Sequence, residues 1–245
     1  MPNTSFFNTE STGLMCPQST NIYKTSLVLA LAILCTVNWT HAQSAIRPDL
    51  SGIASGEGWA LYNRGATTES SGNVTFVTFD GRPGSGVAWL DDVEFENGTI
   101  EVSIRGKNNP GRSFVGVAFR GVDDETYDAV YFRPFNFVAD NALSRRHMVQ
   151  YVSHPDNTWR RLREEHTDVY ENALIAPPNP EEFFRARIVI NKPEVRVYVE
   201  DDTEPCLVVN ELTDRTGGRI GLWMGNNSDG SFADLVIRPS GSSRE

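Results

Sequence analysis

The sequence has few cysteines, few basic residues and no apolar run long enough to span a membrane. Its 245 residues include three cysteines, and 22 lysines and arginines stand against 32 aspartates and glutamates, giving a net charge of −10. Partners such as duplex DNA or an anionic membrane require a basic surface, so this balance argues against both. The 20 glycines and 13 prolines are ordinary numbers, which excludes a collagen-like or low-complexity chain.

The longest apolar run extends from Ser26 to Val37 and is shorter than the roughly 20 residues of a transmembrane helix. Lys24 precedes it and Thr40-His41-Ala42 follows it, the pattern of a secretory signal peptide cleaved after Ala42. The alternative is a buried helix. We expect residues 1–42 to be a signal peptide with an over-extended start, Met15 being the true initiator, and the protein to be secreted or periplasmic.

Cleavage at this point leaves Cys206 without a cysteine partner in the mature chain. An exported domain with one cysteine has no internal disulfide and must be stabilised by its apolar core. Cys206 lies in an apolar run and is predicted to pack in that core. We divide the mature chain into a lead-in, residues 43–56, a single domain, residues 57–238, and a disordered tail, residues 239–245.

Short runs of alternating apolar and polar residues recur through the mature chain, whereas Trp159 to Glu165 is the best candidate for a helix. Ile100, Val102 and Ile104 occupy every second position of one run, which is typical of a strand with one buried face. Asn97-Gly98 predicts a hairpin turn between residues 93–95 and 99–102. Ten or more strands with little helix predict an all-β antiparallel sandwich or barrel. The runs are residues 74–79, 99–104, 113–119, 127–133, 146–152, 184–190, 194–199, 206–209, 219–224 and 232–237.

Five stretches resemble strands of one superfamily, and they are residues 95–102, 113–120, 183–189, 218–223 and 230–236. They resemble the concanavalin A-like lectin/glucanase jelly rolls, and in particular secreted bacterial domains of the 3-keto-disaccharide hydrolase-like and laminin-G-like type. The resemblance implies an antiparallel β-sandwich of jelly-roll topology whose concave sheet binds carbohydrate. The E-x-D-x-x-E-type strand of glycoside hydrolases with this fold is missing, so their catalytic residues cannot be carried over.

The segment from Tyr127 to Glu171 concentrates histidine, arginine, tyrosine and tryptophan. An ordinary pKa near 6.5 suits His147 or His154 to general acid or base catalysis. Their offset of seven residues predicts that the two histidines point to opposite faces of one strand. Glu164, Glu165 and Glu171 are candidate carboxylates, of which Glu164 is assigned to catalysis, and the alternative for them is a solvated surface. No H-x-H or H-E-x-x-H spacing supports a zinc site.

The same segment supplies candidates for holding a sugar. Arginine forks pair with carboxylates, sulfates or paired hydroxyls, and aromatic rings pack against the apolar faces of sugars. The predicted substrate-binding residues are Tyr131, Arg133, Arg146, Gln150, Tyr151, Trp159 and Arg163. The alternative for each is structural, an ion pair for an arginine and core packing for an aromatic ring. Trp223 is predicted to face outward if Leu222 faces the core.

Two functional hypotheses remain open at this point. In the first, the protein is a glycoside hydrolase or polysaccharide lyase acting on a modified or acidic sugar. In the second, it is a non-catalytic, lectin-like module, and a structural surface domain is a third reading. We expect a carbohydrate partner, no nucleic acid, no membrane span, a monomer and no cofactor. The acidic turn at residues 122–128 leaves a structural Ca²⁺ ion open, against the alternative of a solvated turn.

Overall fold

The computed structural model describes residues 44–72 and 74–240. The predicted signal peptide and the last five residues of the predicted tail lie outside these ranges. Within the described ranges no helix has the length and hydropathy needed to cross a membrane.

The described chain forms fourteen strands, two short α-helices and two 3₁₀-helices. The strands are β1 (Trp59–Tyr62), β2 (Ala66–Ser71), β3 (Val74–Phe79), β4 (Gly86–Leu90), β5 (Gly98–Arg105), β6 (Val115–Gly121), β7 (Asp128–Phe132), β8 (Val149–Ser153), β9 (Glu171–Asn172), β10 (Phe184–Asn191), β11 (Glu194–Val199), β12 (Leu207–Asn210), β13 (Arg219–Met224) and β14 (Gly230–Pro239). The helices are α1 (Ala142–Arg146) and α2 (Trp159–Glu165), and the 3₁₀-helices are Leu50–Ser55 and Pro134–Asn136.

The strands form two seven-stranded sheets. The front sheet has the order β1-β4-β13-β6-β7-β8-β9, and the back sheet has the order β12-β11-β10-β5-β14-β3-β2. Neighbouring strands pair antiparallel in both sheets. This architecture confirms the predicted all-β antiparallel sandwich.

The main apolar core lies between the two sheets. Alternate residues of β5 are buried, and Ile100, Val102 and Ile104 belong to this core as the sequence predicted. Each buried aliphatic side chain of this size contributes about 1.5–3 kcal/mol relative to exposure. Cys206 is also buried in the core, which confirms its predicted packing role.

The front sheet is covered on its outer face as well. Every residue of β4, β6, β7 and β8 is buried. A second apolar cluster on the outer side includes Trp89, Tyr127, Tyr131 and Trp223, and Leu162 of α2 packs into it. The predicted helix at Trp159–Glu165 is therefore confirmed, and it covers part of this outer face.

Two local predictions were wrong. The predicted strand at residues 146–152 begins only at Val149, because residues 142–146 form α1, whose first turn is capped by Asn141. The predicted Asn97-Gly98 hairpin does not form, since residues 93–96 are not a strand and β5 pairs with β10 and β14 instead. Gly98 allows β14 to lie close to β5, because a Cβ at this position would lie 2.2 Å from the carbonyl oxygen of Arg238.

Candidate functional site

A cavity of about 520 Å³ opens on the outer face of the front sheet. Its walls combine strand residues from β7, β8 and β13 with residues from α2, from the 3₁₀-helix Pro134–Asn136 and from loops between the strands. Five aromatic side chains line it, namely Phe114, Tyr131, Phe135, Trp159 and Trp223. Pockets of this size and apolar character are typical of small-ligand sites.

The aromatic wall is held rigidly by ring-to-ring contacts. The ring centroids of Tyr131 and Trp223 are 4.9 Å apart, and those of Phe114 and Phe135 are 5.5 Å apart. The indole N–H of Trp223 donates to the hydroxyl of Tyr127 at 3.0 Å, which fixes its orientation. Leu222 lies in the main core and Trp223 in the cavity, as the sequence predicted.

Arg133 anchors a buried polar network below the cavity. It follows β7, and its side chain is almost fully buried. Its Nη2 donates to the hydroxyl of Tyr131 at 2.6 Å and also to Gln150, and its Nη1 donates to the carbonyl oxygen of His147 at 3.0 Å. Burial lowers the pKa of this guanidinium, yet arginine remains charged at neutral pH. The network therefore places a fixed positive charge at the cavity wall.

Glu171, the first residue of β9, is the counter-charge of this network. The guanidinium of Arg163 binds its carboxylate through both oxygens, at 3.0 Å and 2.7 Å, while Nη1 of Arg133 lies 3.6 Å away. Burial alone would raise the pKa of Glu171, but the hydrogen bonds and charge of Arg163, with help from Arg133 and His147, lower it. Glu171 is thus ionised at neutral pH and is unsuited to act as a general acid.

His147 and His154 both line the cavity, so the prediction that they point to opposite faces was wrong. The regular strand covers only Val149–Ser153, and His147 instead caps the end of α1. Nδ1 of His147 lies 2.7 Å from Glu171, without the alignment of a good hydrogen bond. Burial lowers the pKa of both imidazoles, which leaves them uncharged near neutral pH.

The cavity brings together most of the predicted site residues. Tyr131, Arg133, Trp159 and Arg163 line it together with the two histidines. Gln150 is fully buried, and it accepts a hydrogen bond from Tyr131 at 2.8 Å. Gln150 therefore orients neighbouring side chains from within the sheet.

Besides Gln150, three predicted residues lie outside the cavity lining. Tyr151 faces the main core, where its hydroxyl donates to Asp128 at 2.7 Å, because it has the opposite parity to Gln150 in β8. Arg146 ends α1 on the surface, where it pairs with Asp168 at 2.9 Å. Glu164 lies on the exposed side of α2. These positions do not suit Tyr151 to sugar stacking, Arg146 to substrate binding or Glu164 to catalysis with the histidines.

Several other cavity residues were not among the predicted ones, whereas Glu171 was one of three candidate carboxylates. Phe114 lines the cavity from a loop, Phe135 and Asn136 line it from the 3₁₀-helix Pro134–Asn136, and Glu171 lies in a strand of two residues. Loop residues carry no periodic pattern, so their position depends on the folded neighbours. For Glu171, the one available signal was its place beside Tyr170 at the end of the arginine-rich segment.

The carboxylates of the acidic turn hold the turn and its neighbours in place. The carboxylate of Asp123 accepts the backbone N–H groups of Glu125 at 2.9 Å and Thr126 at 2.6 Å, and Asp124 accepts the indole N–H of Trp89 at 2.9 Å. These oxygens are committed to the turn and its neighbours. Across residues 44–72 and 74–240, no group of three His, Cys, Asp or Glu residues is arranged to hold a metal.

A scan against known protein families finds no match, and a search of curated proteins finds none either. Among solved structures, carbohydrate-binding module CBM66 from Bacillus subtilis is similar, with a TM-score of 0.51, 13% identity and coverage of 73% of this chain and 93% of that one. A protein of unknown function with a galectin-like fold from Bacillus subtilis has a TM-score of 0.52 and 12% identity, with coverage of 79% of this chain and 94% of that one. The Ca²⁺/Man2-bound exoplasmic/lumenal domain of VIP36 has a TM-score of 0.52 and 14% identity, with coverage of 82% of this chain and 88% of that one. At these identities the similarity shows the fold alone, an antiparallel β-sandwich of two sheets.

Proposed function

We propose that this protein binds carbohydrate in the cavity on the outer face of the front sheet. The observation that carries the proposal is the combination of five aromatic side chains with arginine, histidine and asparagine side chains in one cavity. Sugars present apolar C–H faces and polar hydroxyl edges, and such a lining matches both. Similarity to a carbohydrate-binding module and to the Ca²⁺/Man2-bound exoplasmic/lumenal domain of VIP36 supports the proposal.

Trp159 is the ring best placed to meet a ligand. It begins α2 at the cavity wall and remains 43% exposed, whereas Tyr131 and Trp223 are nearly buried. The guanidinium of Arg163 lies 5.3 Å from its ring centroid, and that of Arg160 lies 5.4 Å away. The two arginines hold the indole in place, and its exposed part is the surface that can meet a sugar ring.

The lining disfavours glycoside hydrolysis by two carboxylates. That mechanism requires one protonated and one ionised carboxyl group facing the bond. Among the described residues no aspartate or glutamate lines the cavity, and the adjacent Glu171 is held ionised by Arg163. Binding without hydrolysis is the function that this lining supports best.

One observation favours a second candidate function, acid–base catalysis on the bound sugar. His147 and His154 line the cavity as neutral imidazoles, each able to accept a proton. In a polysaccharide lyase, a base removes the proton beside a sugar carboxylate, the glycosidic C–O bond breaks, a C=C bond forms and the leaving oxygen takes a proton. Release of an ultraviolet-absorbing unsaturated product, lost in H147A or H154A, would reveal this activity.

The binding proposal is tested by glycan-array screening followed by calorimetric titration of the best ligand. Trp159→Ala should weaken binding about fivefold or more, since an aromatic contact contributes about 1 kcal/mol. Tyr198→Ala is the matched control, because Tyr198 is a half-buried ring on β11 of the back sheet. The proposal fails if no glycan binds, or if the two variants weaken binding equally.

A further inference from the structure

The charged side chains of the cavity are all of one sign. Arg133 and Arg163 line it, and no acidic side chain does among the residues that the structure describes. Glu171, buried beside them, neutralises one of the two guanidiniums. The site therefore carries a net positive charge although the whole chain carries −10.

The two arginines differ in what they leave unbound. Arg133 commits both terminal nitrogens to Tyr131, Gln150 and the carbonyl oxygen of His147. Arg163 commits Nε and Nη2 to Glu171, while its Nη1 has no hydrogen-bond partner among the described residues. The Arg163 side chain is also 31% exposed. Its free edge can thus donate to a ligand, with Arg133 supplying fixed charge behind it.

For an anion in the cavity, the nearby arginines matter more than the net negative charge of the whole protein. At physiological ionic strength, charges more than about 8 Å apart across solvent are largely screened. Charges around a half-enclosed cavity are screened less, so an anion there interacts mainly with Arg163 and Arg133. Charge-assisted bonds from arginine to an oxyanion are also roughly twice as strong as neutral ones.

We infer that the sugar bound in this cavity carries an anionic group, a uronate carboxylate or a sulfate ester, which Nη1 of Arg163 contacts. The inference rests on the proposed carbohydrate binding and specifies its ligand class. Arg163 is the residue that distinguishes an acidic sugar from a neutral one, and Trp159, beside it, receives the apolar face of the ring.

Calorimetry with matched glycan pairs tests this inference. One pair is an oligogalacturonate and its methyl ester, and the other is a sulfated galactan oligosaccharide and its desulfated form. Wild-type protein should prefer the anionic member of one pair by about tenfold or more, and the pair that responds identifies the anion. Arg163→Gln should remove that preference. Arg161→Gln, on the same helix but paired with Glu165 at 2.9 Å and absent from the cavity lining, should retain it.

If Arg163→Gln does not fold, the inference can still be tested by measuring the anion preference of the wild-type protein at increasing salt concentration. The anion preference of the wild-type protein should decline as NaCl is raised, because screening weakens an ionic contact at a partly exposed group. Equal affinity for both members of each pair, or a preference that persists in Arg163→Gln, overturns the inference and leaves neutral carbohydrate binding standing. Failure to bind any glycan on the array overturns the proposed function as well.

Discussion

Glu171 is the residue whose replacement should reveal most about the site. In Glu171→Gln the side chain keeps its shape but loses the charge that faces Arg163, Arg133 and His147. The buried guanidinium of Arg133 then has no anionic neighbour among its contacts in the described structure, and one of the two charge-assisted bonds to Arg163 loses its acceptor.

The cost can be worked from the exposure of the partners. Removing one member of a buried ion pair costs about 3–5 kcal/mol. Here Glu171 is buried but the Arg163 side chain is 31% exposed, so water compensates in part and about 2–3 kcal/mol is expected. For a domain of this size each kcal/mol lowers Tm by about 2–4 °C, which gives a decrease of about 4–12 °C.

Differential scanning calorimetry at pH 7 provides the measurement, with Glu165→Gln as control. Glu165 forms an exposed i,i+4 pair with Arg161 on α2, and its loss should cost only about 0.3–0.5 kcal/mol. Because the pKa of Glu171 is lowered in the folded state, its stabilisation is complete above the ordinary value of 4.5. The Tm gap between wild type and Glu171→Gln should narrow as pH falls below that value. Equal Tm values for the two variants, or a gap that widens in acid, would refute the reasoning.

Three further predictions concern the sheet, the core and pH. Gly116→Ala should destabilise the protein by more than about 2 kcal/mol in chemical unfolding, because its Cβ would lie 2.1 Å from the carbonyl oxygen of Val130; an unchanged midpoint would contradict this. Arg120→Met should cost about 3–5 kcal/mol by the same assay, since it leaves Glu211, fully buried and 2.8 Å from Arg120, without that partner. Binding of a sulfated glycan should strengthen as pH falls below 6.5. The pKa of His147 is lowered from that value, so its imidazole gains a positive charge only at more acidic pH, and His147→Gln should reduce the pH dependence of binding.

Alternation helped to locate strands with one buried and one half-exposed face, yet β13, which is buried almost throughout, also has the predicted bounds. β5 and β11 alternate visibly, and β11 has the predicted bounds of Glu194 and Val199. β4 (Gly86–Leu90) is buried on both sides and was not among the predicted runs. Coverage of the front sheet by a second apolar cluster is a tertiary effect that the sequence of a single strand does not contain.

The site was predicted in part for a similar reason. The aromatic and arginine content of the central segment drew attention to Tyr131, Arg133 and Arg163, which the structure places at the cavity. The prediction that His147 and His154 point to opposite faces assumed one continuous strand. It failed because α1 ends immediately before His147 and the regular alternation begins only at Val149. Glu171 becomes significant only when β9 pairs with β8 and places it opposite Gln150, a contact across 21 residues of sequence.

Alternation along β7 has a consequence for how such a protein can diversify. Val130 faces the core and the next residue, Tyr131, faces the cavity. An insertion or deletion of one residue within this strand would exchange the two environments and damage both at once. Descendants of this sequence can therefore alter ligand preference through point substitutions or through the lengths of the connecting loops, whereas the lengths of the central strands are constrained.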